Sequence, residues 1–215
     1  TYKSAGGPGL LERYRAELSN ELHVAIGGEQ SELLKLLRYH LGWVDTNGDP
    51  SSCAEGKAIR PALCLFTCEA VGCRRDRALP AAAALELIHN FTLLHDDIQD
   101  GDVERRHRST VWYVWGKPRA LIAGNTVRVL ADAVLMELSK FGASASSLVQ
   151  AAYILNRNYL EVIEGQYLDL SFEDRINVST ADYLDMIGRK TGALMEASMH
   201  LGACLGTKND RRIEA

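Results

Sequence analysis

Nowhere do the 215 residues hold an unbroken apolar run near the roughly 18 needed to cross a bilayer, so no stable membrane insertion is expected. An excess of basic charge is missing as well. The 24 Lys and Arg face 28 Asp and Glu, a formal charge of -4, which removes the cationic field a nucleic-acid partner requires. Paired CxxC spacing is absent from the five cysteines, Cys53, Cys64, Cys68, Cys73 and Cys204, and no secretory signal precedes them. They read as reduced thiols in a cytoplasmic protein, with Cys64 and Cys68 as small core residues of a helix. Alternating strand patterns do not stand out between the long periodic segments, and there is no internal repeat.

What is present is helical. With 47% hydrophobic residues the chain is long enough for one substantial core. Residues 1–9 are small, polar and Gly-rich, which predicts a loose N-terminal arm, and residues 10–215 read as one helical domain. Apolar positions recur at three and four through Leu10–Ile26 and Leu33–Trp43, and a loop containing Asn47-Gly48-Asp49-Pro50 interrupts them. Pro61, Pro80 and Pro118 stand where first-turn prolines would open further helices. Ser144–Leu170 and Thr180–Leu205 continue the helical period, with Ser179 as an N-cap. Helices this apolar must pack on one another, so the expected fold is all-α, an antiparallel helical bundle whose sites are built from inward-facing side chains.

The most concentrated charge lies in Leu94-His95-Asp96-Asp97-Ile98-Gln99-Asp100-Gly101-Asp102-Val103-Glu104-Arg105-Arg106. On a helix, Asp96 and Asp100 are four apart and share a face. Two such carboxylates suit Mg2+, a hard cation held by one or two carboxylates together with phosphate oxygens. Guanidinium forks at Arg105 and Arg106 suit the remaining phosphate oxygens. His89, two turns before Asp96, returns to nearly the same face, whereas His95 points elsewhere. Lys57 and Arg60 precede a helix start, where free backbone N–H groups also favour anions. Gln166 and Asp169 share a face three apart.

In order along the chain, these elements resemble those of the trans-isoprenyl diphosphate synthase (polyprenyl synthetase) family. Gly56-Lys57-Ala58-Ile59-Arg60-Pro61 is similar to its GKxxRP motif, and Leu87 to Asp100 to its first aspartate-rich helix. Glu104-Arg105-Arg106 matches its double arginine, and Gly165-Gln166-Tyr167-Leu168-Asp169 and Lys190-Thr191-Gly192 match its GQxxD and KTG elements. The resemblance implies the terpenoid synthase bundle with a central apolar cavity and a reaction that condenses isopentenyl diphosphate with an allylic prenyl diphosphate. It implies Mg2+ held by Asp96, Asp97 and Asp100, with Asp169 among the metal ligands, and Arg105 and Lys190 on the allylic diphosphate. It assigns Lys57, Arg60, His89 and Arg106 to isopentenyl diphosphate, and Gln166, Asp169 and Thr191 to the reacting end. Phe91 and Thr92 resemble the positions that floor the product channel, in the arrangement associated with geranylgeranyl diphosphate, although a helical wheel sets Phe91 about 140° from Asp96.

The same resemblance implies a homodimer and a second aspartate-rich motif beyond Ala215, so the chain is expected to lack the family's C-terminal part. Ala58 stands where a second basic residue is frequent, His107 where Gly is usual and Asn125 where Asp is usual. A non-catalytic or regulatory subunit of a heteromeric synthase is the first rival reading. A class I terpene cyclase is the second, and has no use for the Lys57, Arg60 and His89 set.

Overall fold

A computed structural model of the chain describes residues 9–27, 31–51, 56–173 and 175–213. The proposed arm, apart from Gly9, and Cys53 lie outside the described residues. The fold is an antiparallel helical bundle, as the sequence predicts. Its helices are α1 (Leu10–Ile26), α2 (Glu32–His40), α3 (Ile59–Ala70), α4 (Leu79–Gln99), α5 (Val111–Trp115), α6 (Lys117–Met136), α7 (Ala145–Phe172), α8 (Thr180–Ile187), α9 (Ala193–Gly206) and α10 (Asp210–Ile213).

α4 is the core helix. Ala81 to Leu85, Leu87 and Ile88 are all 0% exposed, so this stretch is enclosed on every side. Its run of four alanines lets α1, α3, α6 and α9 approach closely while keeping high helix propensity. Cys64 and Cys68 are buried and unpaired in α3, as small core residues should be. α3 in turn packs on α9 through Gly202, where a Cβ would lie 2.2 Å from the Cys64 carbonyl oxygen. Ser179 and Asp182 form the reciprocal cap that starts α8, with Ser179 Oγ accepting from the Asp182 amide at 3.1 Å.

Two local departures matter for the site. The continuous helix expected over Thr180–Leu205 is interrupted by a π turn at Gly188–Gly192, which the sequence does not announce because the helical apolar period runs through it unbroken. Between α4 and α5 the chain forms a short hairpin, β1 (Glu104–Arg105) antiparallel to β2 (Arg108–Ser109), where no strand was expected. Arg106 and His107 form its two-residue turn at φ 53° and 62°, both in the left-handed region. Gly or Asn at those positions would have announced the turn; two bulky residues conceal it.

Candidate active site

The C-terminal half of α4 faces α7 and the π turn across a cavity of about 550 Å3. Thr92, Asp96 and Gln99 come from α4, Gln166 and Tyr159 from α7, and Lys190 and Thr191 from the π turn; Arg60 and His89 close one end. Phe91 and His95 also line it, although the wheel turns both away from Asp96. Long side chains lean over the preceding turn, so the wall spans a wider arc of α4 than bare angles allow. There Phe91 meets His95 at 4.5 Å and Tyr159 edge-on at 5.5 Å between ring centroids.

At the polar end, burial raises the Asp96 carboxyl to about 6; Lys190 opposes this, and Asp100 adds to it. Asp100 caps α4, exposed, with its amide donating to the Asp96 carbonyl at 2.8 Å. Asp97 is turned to another side. It is 1% exposed and accepts from Arg105 Nε at 2.5 Å, tying the end of α4 to the hairpin. Arg105 therefore lies beside Asp97 rather than along the cavity wall with Lys190. Lys190 Nζ is paired with Asp169, and Gln166 Nε2 donates to Gln99 Oε1 at 3.0 Å. Gln166 Oε1 is buried without a hydrogen-bond partner.

The π turn reaches this wall because of Gly165. A Cβ there would stand 2.3 Å from the Lys190 amide nitrogen and 2.7 Å from its Cα, so only glycine admits the contact. The glycine of the Gly-Gln-x-x-Asp element is thus the reason Gln166 and Asp169 can share a site with Lys190 and Thr191.

A second cavity of about 460 Å3 adjoins the first and carries Lys57, Arg60, His89 and Arg106, with Arg60 and His89 common to both. Burial, then the charges of Arg60 and Arg106, press the His89 imidazole down to about 3, so it is neutral at pH 7. Burial also holds Arg60 below its usual guanidinium value, against the pull of Glu86, and its Nε is buried without a partner. Gly56 makes room for Arg106, whose Nη2 would be 2.7 Å from a Cβ. Of the departures, Ala58 caps α3 at φ 50° and His107 occupies the hairpin turn; both carry left-handed backbone that glycine adopts more readily. Asn125 is exposed on α6, and nothing in the structure gives it a role.

Sequence reasoning passed over His40, Gln99 and Tyr159. His40 ends α2, buries Nε2 without a hydrogen-bond partner and is held down to about 3 by burial and by Arg106 and Arg105. Gln99, between the aspartates, was a sequence-level clue to a dipole at the cavity; His40 and Tyr159 lie in unremarkable helical text.

The polyprenyl synthetase family model matches residues 43–215. The chain is 43% identical over 172 residues to the (2E,6E)-farnesyl diphosphate synthase of Mycobacterium bovis, covering 79% of this chain and 46% of that protein. It is 38% identical over 209 residues to the geranylgeranyl diphosphate synthase of Mycobacterium tuberculosis, covering 97% and 59%. The crystal structure of a polyprenyl synthetase from Streptomyces coelicolor A3(2) superposes with a TM-score of 0.87 at 39% identity, covering 95% of this chain and 59% of that one. The chain thus spans about half the length of the curated relatives it matches.

Proposed function

The chain belongs to the polyprenyl synthetase family, and from that premise we propose that it performs the chemistry of an Mg2+-dependent trans-prenyltransferase. Isopentenyl diphosphate is joined to an allylic diphosphate to give a longer linear trans-prenyl diphosphate, geranylgeranyl or farnesyl diphosphate. The observation that carries this reading is the pair of adjoining cavities, one apolar with Asp96 and Lys190 at its polar end, the other basic, meeting at Arg60 and His89.

The reaction begins when the allylic carbon–oxygen bond breaks, leaving a carbocation and pyrophosphate. Negative charge grows on the leaving group, and groups already in place to meet it lower the barrier most. Lys190 serves that purpose at the polar end. Arg105 is proposed to add its charge from beside Asp97. Lys57, Arg60 and Arg106 hold the diphosphate of isopentenyl diphosphate in the second cavity, and neutral His89 offers it an N–H. The double bond of isopentenyl diphosphate then attacks the cation, and pyrophosphate takes the final proton. Gln166, Asp169 and Thr191 place dipoles and charge near the cation, while the walls of Phe91, Tyr159 and Leu194 keep water from capturing it.

The donor set fits magnesium. Asp96 lines the cavity and feels the charge of Asp100, and such a carboxylate pair suits an ion that keeps water and takes phosphate oxygens beside one or two carboxylates. Asp96 and Asp100 are the proposed holders, with Asp97 and Asp169 beside them. When bound, Mg2+ would offset the charge building on the leaving diphosphate.

Two wider features belong to the same reading. A homodimer is proposed through α6, whose exposed Ile122, Val129 and Met136 recur every seven residues along one face. A cytoplasmic setting is proposed from Cys64, Cys68 and Cys73, which are free thiols. No helix of the described residues is long and apolar enough to cross a membrane.

Labelled isopentenyl diphosphate, incubated with the protein, Mg2+ and each allylic starter, tests the proposal. Label appearing in longer prenyl diphosphates, and lost with EDTA or in Asp96→Ala, is expected. No incorporation with any starter overturns it in favour of a non-catalytic subunit, and cyclic hydrocarbon products in favour of a cyclase.

A further inference from the structure

Arg189 lies one residue before Lys190 in the π turn but points to the other side of it. Its guanidinium meets three carboxylates on two helices. Nη1 donates to Glu161 Oε2 at 2.9 Å and to Glu164 Oε2 at 2.5 Å on α7, and Nε donates to both Asp185 oxygens at 3.1 Å on α8. A single exposed ion pair of this kind contributes little, but three acceptors around one planar fork fix its position in a way one pair does not.

The sequence of contacts along α7 gives this clasp its meaning. Glu161 and Glu164 hold Arg189; Gly165 touches the backbone of Arg189 and Lys190, with a Cβ position 2.9 Å from the Arg189 carbonyl carbon; Asp169 holds Lys190. One helix thus grips the wide turn from outside, along its backbone and from inside. A π turn lacks the tight hydrogen-bonded ladder that fixes side chains on an α-helix, so what fixes Lys190 must come from neighbours. We propose that Arg189 is a positioning residue: its three-carboxylate clasp sets the π turn so that the Lys190 ammonium stands at the polar end of the cavity, where it meets diphosphate. This rests on the diphosphate reading of Lys190 given above.

Arg189 touches no substrate in this scheme, so its removal must act through Lys190 and not beside it. Calorimetric titration of inorganic pyrophosphate in Mg2+ against the whole chain separates the two. Arg189→Gln is expected to weaken binding by about fivefold to tenfold and Lys190→Ala by more, while the double variant binds no more weakly than Lys190→Ala alone. Arg189→Lys, which keeps charge but not the fork, recovers part of the loss. Wild-type affinity in Arg189→Gln, or losses that add in the double variant, overturns the clasp while leaving Lys190 as a ligand. Wild-type affinity in Lys190→Ala overturns instead the diphosphate reading, and the clasp's purpose with it. Should Arg189→Gln lose its thermal unfolding transition, Glu164→Gln opens the same clasp from the other side, and the same comparisons decide.

Discussion

Lowering the pH from 8 to 5 places protons on His40 and His89 once the chain unfolds, but not while it is folded. Both imidazoles sit among guanidinium groups, and burial is the larger cause for each. Their folded values are about 3 against 6.5 for a free histidine. Because those values are depressed, the unfolded chain binds more protons below pH 6.5; the stability is whole above that pH and drains away as pH falls towards 3. At pH 5 the linkage relation gives a loss of about 2 kcal/mol for each histidine relative to pH 8. Carboxylates with shifted values, Asp96 among them, also contribute to the pH profile of the whole protein. They cancel when a variant is compared with the parent. The assay is therefore urea unfolding of the parent and of His40→Gln, each at pH 8 and pH 5. The difference in unfolding free energy between the two proteins should move by about 2 kcal/mol across that interval, in the direction that favours the variant in acid. His89→Gln should behave likewise. A difference that stays constant, or an imidazole that titrates near 6.5 in the folded protein by NMR, would refute the claim that these histidines are held neutral by burial and by the arginines.

Gly165→Ala forces a Cβ onto the Lys190 backbone, and overpacking of that kind costs about 1–3 kcal/mol; thermal unfolding should show it, and an unchanged midpoint would mean that the contact between α7 and the π turn is looser than described. Phe91→Ala opens the aromatic wall shared with Tyr159 and His95, so product chains should lengthen on chromatography; an unchanged distribution removes Phe91 as a floor. His107→Gly relieves a left-handed residue costing about 1–2 kcal/mol, less the roughly 0.5–1 kcal/mol of extra entropy glycine loses on folding, and should raise stability by roughly 0.5–1 kcal/mol by denaturant unfolding; a loss would show that the imidazole contributes more than the strain costs.

The helix that carries the aspartates was legible because Ala and Leu fill it without Gly or a second Pro, and burial on all sides leaves its pattern plain. Asp96, His89, Lys190, Gln166 and Arg60 were legible as residue types, and the cavity walls bring them together. What could not be read was which way neighbours turn. Asp97 and Arg105 carry charges that suit the cavity, yet they pair with each other beside it, a choice made by the hairpin. That hairpin has no Asn-Gly to announce it. The π turn was hidden for a different reason: Met186, Ala193, Leu194 and Ala197 keep helical spacing across it, so periodicity sees one helix. His40 stayed unnoticed because the groups that act on it, Arg105, Arg106 and Asn90, are distant in sequence.

The central claim is that the cavity grips a diphosphate between magnesium at Asp96 and the ammonium of Lys190. Titrating an unreactive allylic diphosphate analogue into the protein, with and without Mg2+, measures this most directly. Binding that needs Mg2+ and falls at least tenfold in both Asp96→Ala and Lys190→Ala is the predicted result; equal affinity in EDTA, or in both variants, contradicts it.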